Sequence, residues 1–409
     1  KTVLPQYTDE IVRRAKDINE VLATHFAMHG NGNTLPSQMR KTLRSKLESF
    51  DRYKLSTGLD RRSEVKLADA IKVLHPKPKN AEMAQFYRDI IENNVTLGDG
   101  KRQVRSVLSD LGKAEGEQQK AQLKGELAET LRTASLFTIV RNLVPYVETG
   151  ILQDTKNVDI IVNRLIDKQE IARSKMLPFR FYSAFRQLQD RPNILPADTR
   201  MRLYNALIKA VDLSIENLTP VEGTNCILVD VSGSMVWGRV SSKSTMSYAD
   251  IALLLGAIVY KKGYGDFYIF ATGTAKMDMS NQAPIFDIIR HAKGMDVGGG
   301  TDLRYALQLI ESAGVSYDNL VILTDSDYQG TPFVADRQLD KLLRTGITKR
   351  VWVNNLAGND YTVANMNHPS KHIVTGFNAR FIEMMNLYRQ VDRGNILTVI
   401  DELLAKERA

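Results

Sequence analysis

One short stretch of this sequence places three oxygen-bearing side chains directly after an apolar run. Residues 226–235 read CILVDVSGSM, so a strand-like segment ends in Asp230, and Ser232 and Ser234 follow at two-residue spacing. Such a loop suits a divalent cation, a helix cap or a serine nucleophile. The nucleophile is disfavoured because the nearest histidine along the chain, His291, has no matching partner carboxylate in the sequence.

Two further stretches carry the same side-chain chemistry at matching places. Residues 298–302 read GGGTD and deliver Thr301 to the start of a helical segment, while residues 323–327 read LTDSD, so a second strand ends in Asp325. Carboxylate and hydroxyl oxygens are the ligands that Mg²⁺ prefers. The order of the three stretches favours a divalent metal site, with Mg²⁺ as the expected ion, over a simple helix cap.

The elements around these stretches predict an α/β fold for residues 221–409. Short apolar strands alternate with helical segments such as SYADIALLLGAIVYKK, IFDIIRHAK, TDLRYALQLIESAG, FVADRQLDKLLRTG and ILTVIDELLAK. The predicted strands are NCILVDV, DFYIFA, NLVILTD and KRVWVNNLA. This alternation is typical of a mostly parallel, Rossmann-like sheet, in which ligands bind outside the carboxyl ends of the strands. Asp230 stands at such an end.

Residues 1–220 have a different pattern, with helical apolar stripes and no convincing strand. Turn residues separate the stripes, as in HGNGN and HPKPKN, which predicts an array of antiparallel helices. A solenoid of degenerate helical pairs fits this pattern, although the sequence shows no clean repeat period. The sequence therefore predicts two domains, one of helices and one α/β.

The positive charge of the chain belongs to the helical part. Residues 1–220 hold 36 Lys and Arg against 27 Asp and Glu, a net charge of +9, whereas residues 221–409 hold 19 against 20, a net charge of −1. A basic excess confined to one domain predicts a polyanionic partner there.

Membrane and disulfide classes are disfavoured by the sequence. The longest nearly apolar run, IALLLGAIVY at 251–260, is too short to cross a bilayer and predicts a buried helix instead. The single cysteine, Cys226, excludes an internal disulfide and lies in a strand-like run, which predicts a core thiol. Because the N-terminal residues KTVLPQYTDEIVRR contain no apolar signal region, we expect a cytoplasmic protein without a membrane partner.

The motifs DVSGS, GGGTD and LTD, on alternating strands and helices, resemble the von Willebrand factor A domain and its metal-ion-dependent adhesion site. The resemblance covers about residues 222–409. It implies a metal site formed by Asp230, Ser232, Ser234, Thr301 and Asp325, with Asp325 often reaching the ion through water. The stretch VWGRVSSKSTM lengthens the loop before the first helix relative to that pattern, which affects access to the ion.

The helical half resembles the TROVE module of the Ro autoantigen family. The resemblance rests on MRKTLRSKLESFDRYKLS, SEVKLADAIKVLHPKP, RNLVPYVETG, IARSKMLPFRF and ALIKAVDLSIENL, in that order, with HPKP and LPFRF the most telling. It implies a HEAT-like ring of helical repeats closed by the A domain. It further implies a monomeric scaffold without catalytic activity. This scaffold is expected to bind small noncoding Y RNAs and the single-stranded 3′ ends of misfolded RNAs, with an exoribonuclease as a partner.

Candidate RNA-binding residues lie first in the segment between Pro36 and Asn80, which holds 12 Lys and Arg against 5 Asp and Glu. Arg40, Lys41 and Arg44 are expected on the face opposite the apolar stripe, where cations can follow a phosphate backbone. A solvated helix face is the alternative interpretation of each cation.

His75 and Lys77 belong to HPKP, which matches the family segment where RNA is contacted. His75 closes a helix because a proline follows it, so a histidine that merely stabilises a helix C-terminus is the alternative. The phenylalanines of LPFRF are expected in the core. Three further cations could face the ring hole: Arg173, Lys175 and Arg180.

Three functions compete at this point. An RNA-binding scaffold accounts for both halves, whereas an A-domain adaptor that binds a protein carboxylate through the metal leaves the basic helices without a role. A metal-dependent phosphohydrolase needs more carboxylates and a general base near the ion.

Overall fold

The computed structural model describes residues 12–29, 35–57, 59, 64–92, 104–241, 244–327, 332–358, 364–365, 368–376 and 381–391. The chain separates into two compact units, residues 1–130 and 131–409. The second unit therefore includes helices as well as the sheet. The domain boundary predicted at residue 220 falls inside the second unit. Compact units and domains are not the same division, so this boundary stays a prediction.

The first unit is helical throughout its described part, as the apolar stripes predict. Its helices are α1 (Ala15–His29), α2 (Ser37–Ser49), α3 (Arg52–Thr57), α4 (Leu67–Leu74), α5 (Ala81–Ile91) and α6 (Val104–Leu111), and α7 (Glu117–Thr133) continues to the second unit. One core joins α1 to α5 through buried Leu22, Leu47, Leu74 and Phe86. The stripe of α2 is confirmed as core, because Leu43 and Leu47 are buried.

Six helices precede the sheet in the second unit. They are α8 (Leu136–Arg141), α9 (Leu143–Glu148), α10 (Thr155–Ile166), α11 (Lys168–Ser174), α12 (Pro178–Gln189) and α13 (Ala197–Ile215), with a 3₁₀ turn at Ile151–Gln153. They pack against the α/β part through ring contacts such as Phe185 with Phe286, whose centroids lie 4.7 Å apart. The backbone N–H of Ile285 also donates to Asp212, 3.1 Å away. These contacts explain why the compact unit begins upstream of the sheet.

The sheet has six strands in the order β3-β2-β1-β4-β5-β6. They are β1 (Thr224–Asp230), β2 (Tyr264–Phe270), β3 (Thr274–Lys276), β4 (Tyr317–Thr324), β5 (Thr348–Asn355) and β6 (Lys371–Thr375). All neighbouring pairs are parallel except β2 with β3. The chain adds β2 on one side of β1 and β4 on the other, so the crevice at the carboxyl ends of β1 and β4 is a topological switch point.

The helices of the α/β part cover the sheet as predicted. They are α14 (Gly233–Trp237), α15 (Tyr248–Lys262), α16 (Ile285–Gly294), α17 (Leu303–Ala313), α18 (Pro332–Arg344) and α19 (Phe381–Val391). The apolar run 251–259 is wholly buried in α15, and Cys226 is a core thiol whose pKa burial raises. Within the described residues, no helix combines the length and apolarity needed to span a membrane.

The helix-rich N-terminal part and the α/β C-terminal part are thus both confirmed. The sequence missed β3, β6, α19 and the short α14, and the predicted helix ILTVIDELLAK lies outside the described residues.

Candidate metal centre and nucleic-acid interface

Two buried carboxylates lie at the switch point of the sheet. Asp230 is the last residue of β1 and is fully buried, and Asp325 directly follows β4 and is 3% exposed. The carboxylate of Asp230 accepts hydrogen bonds from the backbone N–H of Ser232 at 2.9 Å and from the hydroxyl of Thr324 at 2.7 Å. None of the ion pairs in the described part of the chain includes Asp230. Its negative charge is therefore buried with hydrogen bonds and without a cationic side chain.

The two serines of the first loop have the geometry of adjacent ligands. Ser232 precedes α14 as its N-cap residue, yet its side chain makes no capping hydrogen bond. Instead its Oγ lies 3.3 Å from the Oγ of Ser234. Two ligands at right angles around Mg²⁺ lie about 3 Å apart, because each is about 2.1 Å from the ion. The capping interpretation of Ser232 is therefore not realised, and the hydroxyl pair fits a cation.

The glycine loop brings Thr301 to the same edge of the sheet. The backbone N–H of Gly233 donates to the carbonyl of Gly299 at 2.9 Å, which joins this loop to the serine loop. Gly298 has a φ of +78°, and a Cβ there would lie 3.1 Å from Thr272. Thr301 is 9% exposed, and the following Asp302 accepts from the N–H of Tyr305 as the cap of α17. Cap and candidate ligand are thus separate residues in this loop.

The environment of Asp230 makes its charged form unfavourable without a cation. Burial is the main cause that raises its pKa, to about 6, and nearby Asp325 adds to the rise, while hydrogen bonds from Ser232 and Thr324 oppose it. A divalent ion between the carboxylates would reverse both unfavourable effects. Among the described residues, no three His, Cys, Asp or Glu side chains cluster for a metal, so an ion here needs the hydroxyls.

The serine nucleophile gains no support. His291 does have a partner carboxylate, which corrects the expectation from the sequence: its Nε2 lies 2.7 Å from Asp278. That pair joins α16 to the segment after β3, and no described hydrogen bond links it to the serine loop. The sequence could not reveal the pair because 13 residues separate the two side chains along the chain.

The cations of α2 are less uniformly exposed than expected. Lys41 is exposed, whereas Arg40 and Arg44 are half-buried, so a simple solvated face does not describe all three cations. The Nε of Arg44 donates to the carbonyl of Leu74 at 2.6 Å, and thereby caps the C-terminus of α4. Arg44 thus lies beside the HPKP corner, 30 residues away along the chain.

The HPKP motif forms an exposed corner between α4 and α5. His75 ends α4 in the left-handed conformation, with a φ of 48°, which confirms the predicted helix end. His75 and Lys77 are exposed, and the N–H of Lys77 donates to Glu48 of α2 at 2.7 Å. Lys72 and Arg88 line the open groove of about 400 Å³ beside His75. The structure therefore brings the two predicted cation groups of the first unit together.

Arg173, Lys175 and Arg180 lie at the α11–α12 junction, and all three are exposed. The guanidinium of Arg180 lies 5.7 Å from the ring centroid of Phe137, which is 41% exposed. Sequence reasoning missed Phe137, since nothing in its neighbourhood marks it as exposed. The phenylalanines of LPFRF are core residues, as expected: Phe179 is 7% exposed and Phe181 is fully buried.

Backbone strain coincides with the candidate sites. Among the described residues, the non-glycine positions with positive φ are His75 at 48°, Lys175 at 51° and Ser326 at 62°. The first two are predicted RNA contacts, and the third follows Asp325. Such conformations cost of order 1–2 kcal/mol and concentrate at functional sites.

Comparison with known families agrees with this geometry. The family model of the TROVE domain matches residues 126–221, and the model of the Ro60 vWA domain, a von Willebrand factor A domain, matches residues 225–388. Both modules of the resemblance to the Ro family, the TROVE domain and the Ro60 vWA domain, are therefore matched in this chain. The two matches follow one another directly, so the predicted order of modules is confirmed. The α2 cations and HPKP precede the matched stretch.

Relatives of known name extend this assignment. The chain is 26% identical over 261 residues to the RNA-binding protein RO60 of Caenorhabditis elegans, an alignment that covers 61% of this chain and 40% of the relative. It is 22% identical over 271 residues to the RNA-binding protein RO60 of Deinococcus radiodurans, covering 63% of this chain and 50% of that protein. The aligned part thus spans half or less of these two relatives.

A solved structure shares the fold. The Ro (RSR) protein of Deinococcus radiodurans superposes with a TM-score of 0.67 at 20% identity, covering 93% of this chain and 82% of that one. At this identity the likeness concerns the fold alone. Because it covers 93% of the chain, it includes most of the first unit, whose residues 1–125 neither family model matches.

Proposed function

We propose that this protein is an RNA-binding scaffold without catalytic activity of its own. The observation that carries the proposal is the basic corner, defined as Lys72, His75, Lys77 and Arg88. Exposed Lys41 lies on α2, the helix whose Arg44 contacts this corner. These side chains are exposed and lie on a compact helical unit, where cations can neutralise several phosphates at once. The names of the two RO60 relatives agree with RNA as the polyanion.

The finer proposal concerns the kind of RNA. Small noncoding, Y-like RNA would bind at the basic corner, because the ring of His75 on a strained helix end can contact a base or a 2′-hydroxyl. Single-stranded 3′ ends would bind at the α11–α12 junction. There the Arg180–Phe137 pair offers a stacking surface for unpaired bases, with Arg173 and Lys175 for phosphates. A role in RNA quality control, an exoribonuclease partner, a monomeric state and a cytoplasmic location remain predictions.

Charge-neutralising variants with a matched control test the basic corner. Replacing Lys72 and Lys77 by Gln should weaken binding of a structured small RNA by at least about tenfold at low salt. Each phosphate contact that is lost reduces the number of counterions released on binding, and this release drives the association. The control replaces Lys120 and Lys124 of α7, a helix with as many acidic as basic residues. Anisotropy titrations of the two double variants should differ. Equal affinities would refute the assignment of RNA to the corner.

We also propose that a divalent ion, with Mg²⁺ as the expected species, binds at the carboxyl end of the sheet. Asp230, Ser232, Ser234 and Thr301 would hold the ion, with Asp325 acting directly or through water. The adjacent hydroxyls of Ser232 and Ser234 and the buried Asp230 support this site. A bound ion there can accept an outside carboxylate or phosphate as a further ligand.

The second candidate function follows from this site. An A domain that uses its ion to bind a partner's carboxylate would make the protein an adaptor. Exposed apolar residues beside the site favour this candidate, because Val236 and Trp237 at the end of α14 are 43% and 80% exposed. Isothermal titration with Mg²⁺, then with an acidic peptide in Mg²⁺ or EDTA, tests it. An adaptor requires peptide binding in Mg²⁺ only.

A further inference from the structure

A cavity of about 450 Å³ lies beside α14 in the second unit, and is here named the Trp237 pocket. Its floor is apolar, with Leu253 and Ala292 among the residues that line it. Its charged and aromatic lining consists of Arg186, Trp237, Arg239, Asp250, Lys293 and Asp296. Pockets of this size hold small ligands such as a nucleotide.

Asp250 holds two of these cations in place. Its carboxylate is 2% exposed and lies 2.6 Å from the Nζ of Lys293 and 3.3 Å from the Nη2 of Arg186. Burial alone would raise the pKa of Asp250, but Lys293 and Arg186 keep it below its usual value. Three cations against two carboxylates leave the pocket one positive charge in excess. This balance favours an anionic ligand.

One nitrogen of the pocket-lining residue Arg186 makes no hydrogen bond. The Nε of Arg186 is buried and makes no hydrogen bond, although other atoms of the same guanidinium contact Gln189 and Asp250. A buried donor without an acceptor costs about 1–3 kcal/mol. The Arg186 side chain is 25% exposed, so a part of it other than Nε is accessible to a phosphate in the pocket.

The aromatic side chain at the rim is presented by a fixed turn. Trp237 is 80% exposed, which is unusual for so large a side chain. Gly238 follows it, and a Cβ there would lie 2.5 Å from the ring of Tyr248, so the chain passes too close for another residue. Arg239 fastens the turn by donating to the carbonyl of Val236 at 2.9 Å. An indole held in this way can receive a base with little loss of entropy.

We propose that the Trp237 pocket binds one nucleotide of single-stranded RNA, with the phosphate on Arg186 and Arg239 and the base stacked on Trp237. The inference rests on the proposed RNA function and gives it a contact in the α/β part. An acidic peptide would pair with the cations but has no base to stack on the indole. A nucleotide can make both interactions and therefore fits the pocket better. Stacking on an exposed aromatic side chain contributes about 1–3 kcal/mol per base.

Tryptophan fluorescence reads this pocket selectively. The chain has two tryptophans, and the other, Trp352, is fully buried. In EDTA, adenosine monophosphate should quench the emission saturably, with an affinity at least about fivefold above that of adenosine or inorganic phosphate, since each carries only half of the recognised chemistry. Working in EDTA keeps the result independent of any bound cation.

Two variants and two controls sharpen the test. Arg239→Gln should weaken binding of the mononucleotide by about tenfold, as the loss of a charge-assisted contact predicts. Trp237→Ala, followed by equilibrium dialysis, should weaken it at least about fivefold. The controls are Arg290→Gln, an exposed arginine of α16, and Tyr264→Ala, an aromatic residue 77% exposed at the start of β2. Neither lines the pocket, so both should bind as the unmodified protein does.

The outcomes separate the pocket from the scaffold function. Absence of saturable quenching, or equal losses in Arg239→Gln and Arg290→Gln, overturns the pocket. Stronger binding of a hexaglutamate peptide than of the mononucleotide overturns it in favour of a protein ligand. If RNA binds with salt dependence while the mononucleotide does not bind, the nucleotide-binding role of the pocket is refuted and the scaffold function is retained. If the mononucleotide binds but RNA does not, the scaffold function fails.

Discussion

Replacing Asp230 with Asn should stabilise the metal-free protein at pH 7.5 while it removes the response to Mg²⁺. The carboxylate is fully buried, and burial raises its pKa from 3.8 to about 6. A rise of that size corresponds to about 3 kcal/mol of unfavourable free energy when the group is ionised. Asn keeps the shape and can still accept from Ser232, so part of this cost should be recovered, about 1–3 kcal/mol.

The sign of the pH dependence follows from the same pKa. Because the folded-state pKa lies above the unfolded value, the group's contribution to stability is fully present below about pH 4 and is lost as the pH rises through about 6. Metal-free protein should therefore lose stability between pH 4 and 7 from this group, and the Asn variant should not. Comparison of the two proteins at each pH cancels the contributions of other groups.

Thermal melts in EDTA and in Mg²⁺ measure both effects. The Asn variant in EDTA at pH 7.5 should melt about 2–12 °C above the unmodified protein in EDTA, given about 2–4 °C per kcal/mol for a unit of this size. Mg²⁺ should raise the melting temperature of the unmodified protein only. Asp302→Asn is the matched control, because Asn also caps helices and Asp302 is the cap of α17. A lower melting temperature for Asp230→Asn in EDTA would refute the reasoning.

Three other substitutions have expected outcomes that denaturant unfolding and RNA titration can check. Asp250→Asn should destabilise the protein by about 1–2 kcal/mol, because Lys293 and Arg186 lose a buried carboxylate partner but are themselves partly exposed to water; an unchanged stability would contradict this. Arg44→Gln should cost about 1–2 kcal/mol through the lost hydrogen bond to the Leu74 carbonyl. An unchanged unfolding midpoint would show that this cap is dispensable. Lys175→Gly should stabilise by about 1 kcal/mol, since glycine adopts a positive φ without strain, yet weaken binding of single-stranded RNA. A gain in stability with unchanged RNA affinity would remove Lys175 from the interface.

The sequence predicts the central strands well, because they depend on local patterns, and the same patterns locate the candidate metal ligands at the ends of strands. Four continuous apolar runs became β1, β2, β4 and β5, and Asp230 and Asp325 lie where those runs end. The strands β3 and β6 escaped prediction because they are short and lie at the two edges of the sheet, where side chains are only partly buried. An edge strand lacks the continuous apolar run that marks a buried one.

Contacts between distant segments account for what the sequence could not show. Arg44 has the spacing of a solvent-facing cation on α2, and only the fold reveals that it caps α4. The pairing of His291 with Asp278 likewise appears only in the folded structure. The exposure of Phe137 and Trp237 was also beyond prediction, since large aromatic side chains are mostly buried. Hydrophobic periodicity describes one helix or strand at a time, whereas these features depend on which other segments of the chain pack against it in the folded structure.

The most direct test of the scaffold function is the salt dependence of RNA binding by the unmodified protein. A structured small RNA and a single-stranded 3′ tail are titrated by anisotropy between about 50 and 200 mM salt, where proteins with several phosphate contacts change most. The scaffold function predicts that log affinity falls linearly with log salt, with a slope between about −3 and −5 if four to six phosphates are contacted. It also predicts that Lys72 and Lys77 together account for about −1.5 of that slope. A slope near zero, or no binding of either RNA by folded protein, would contradict it.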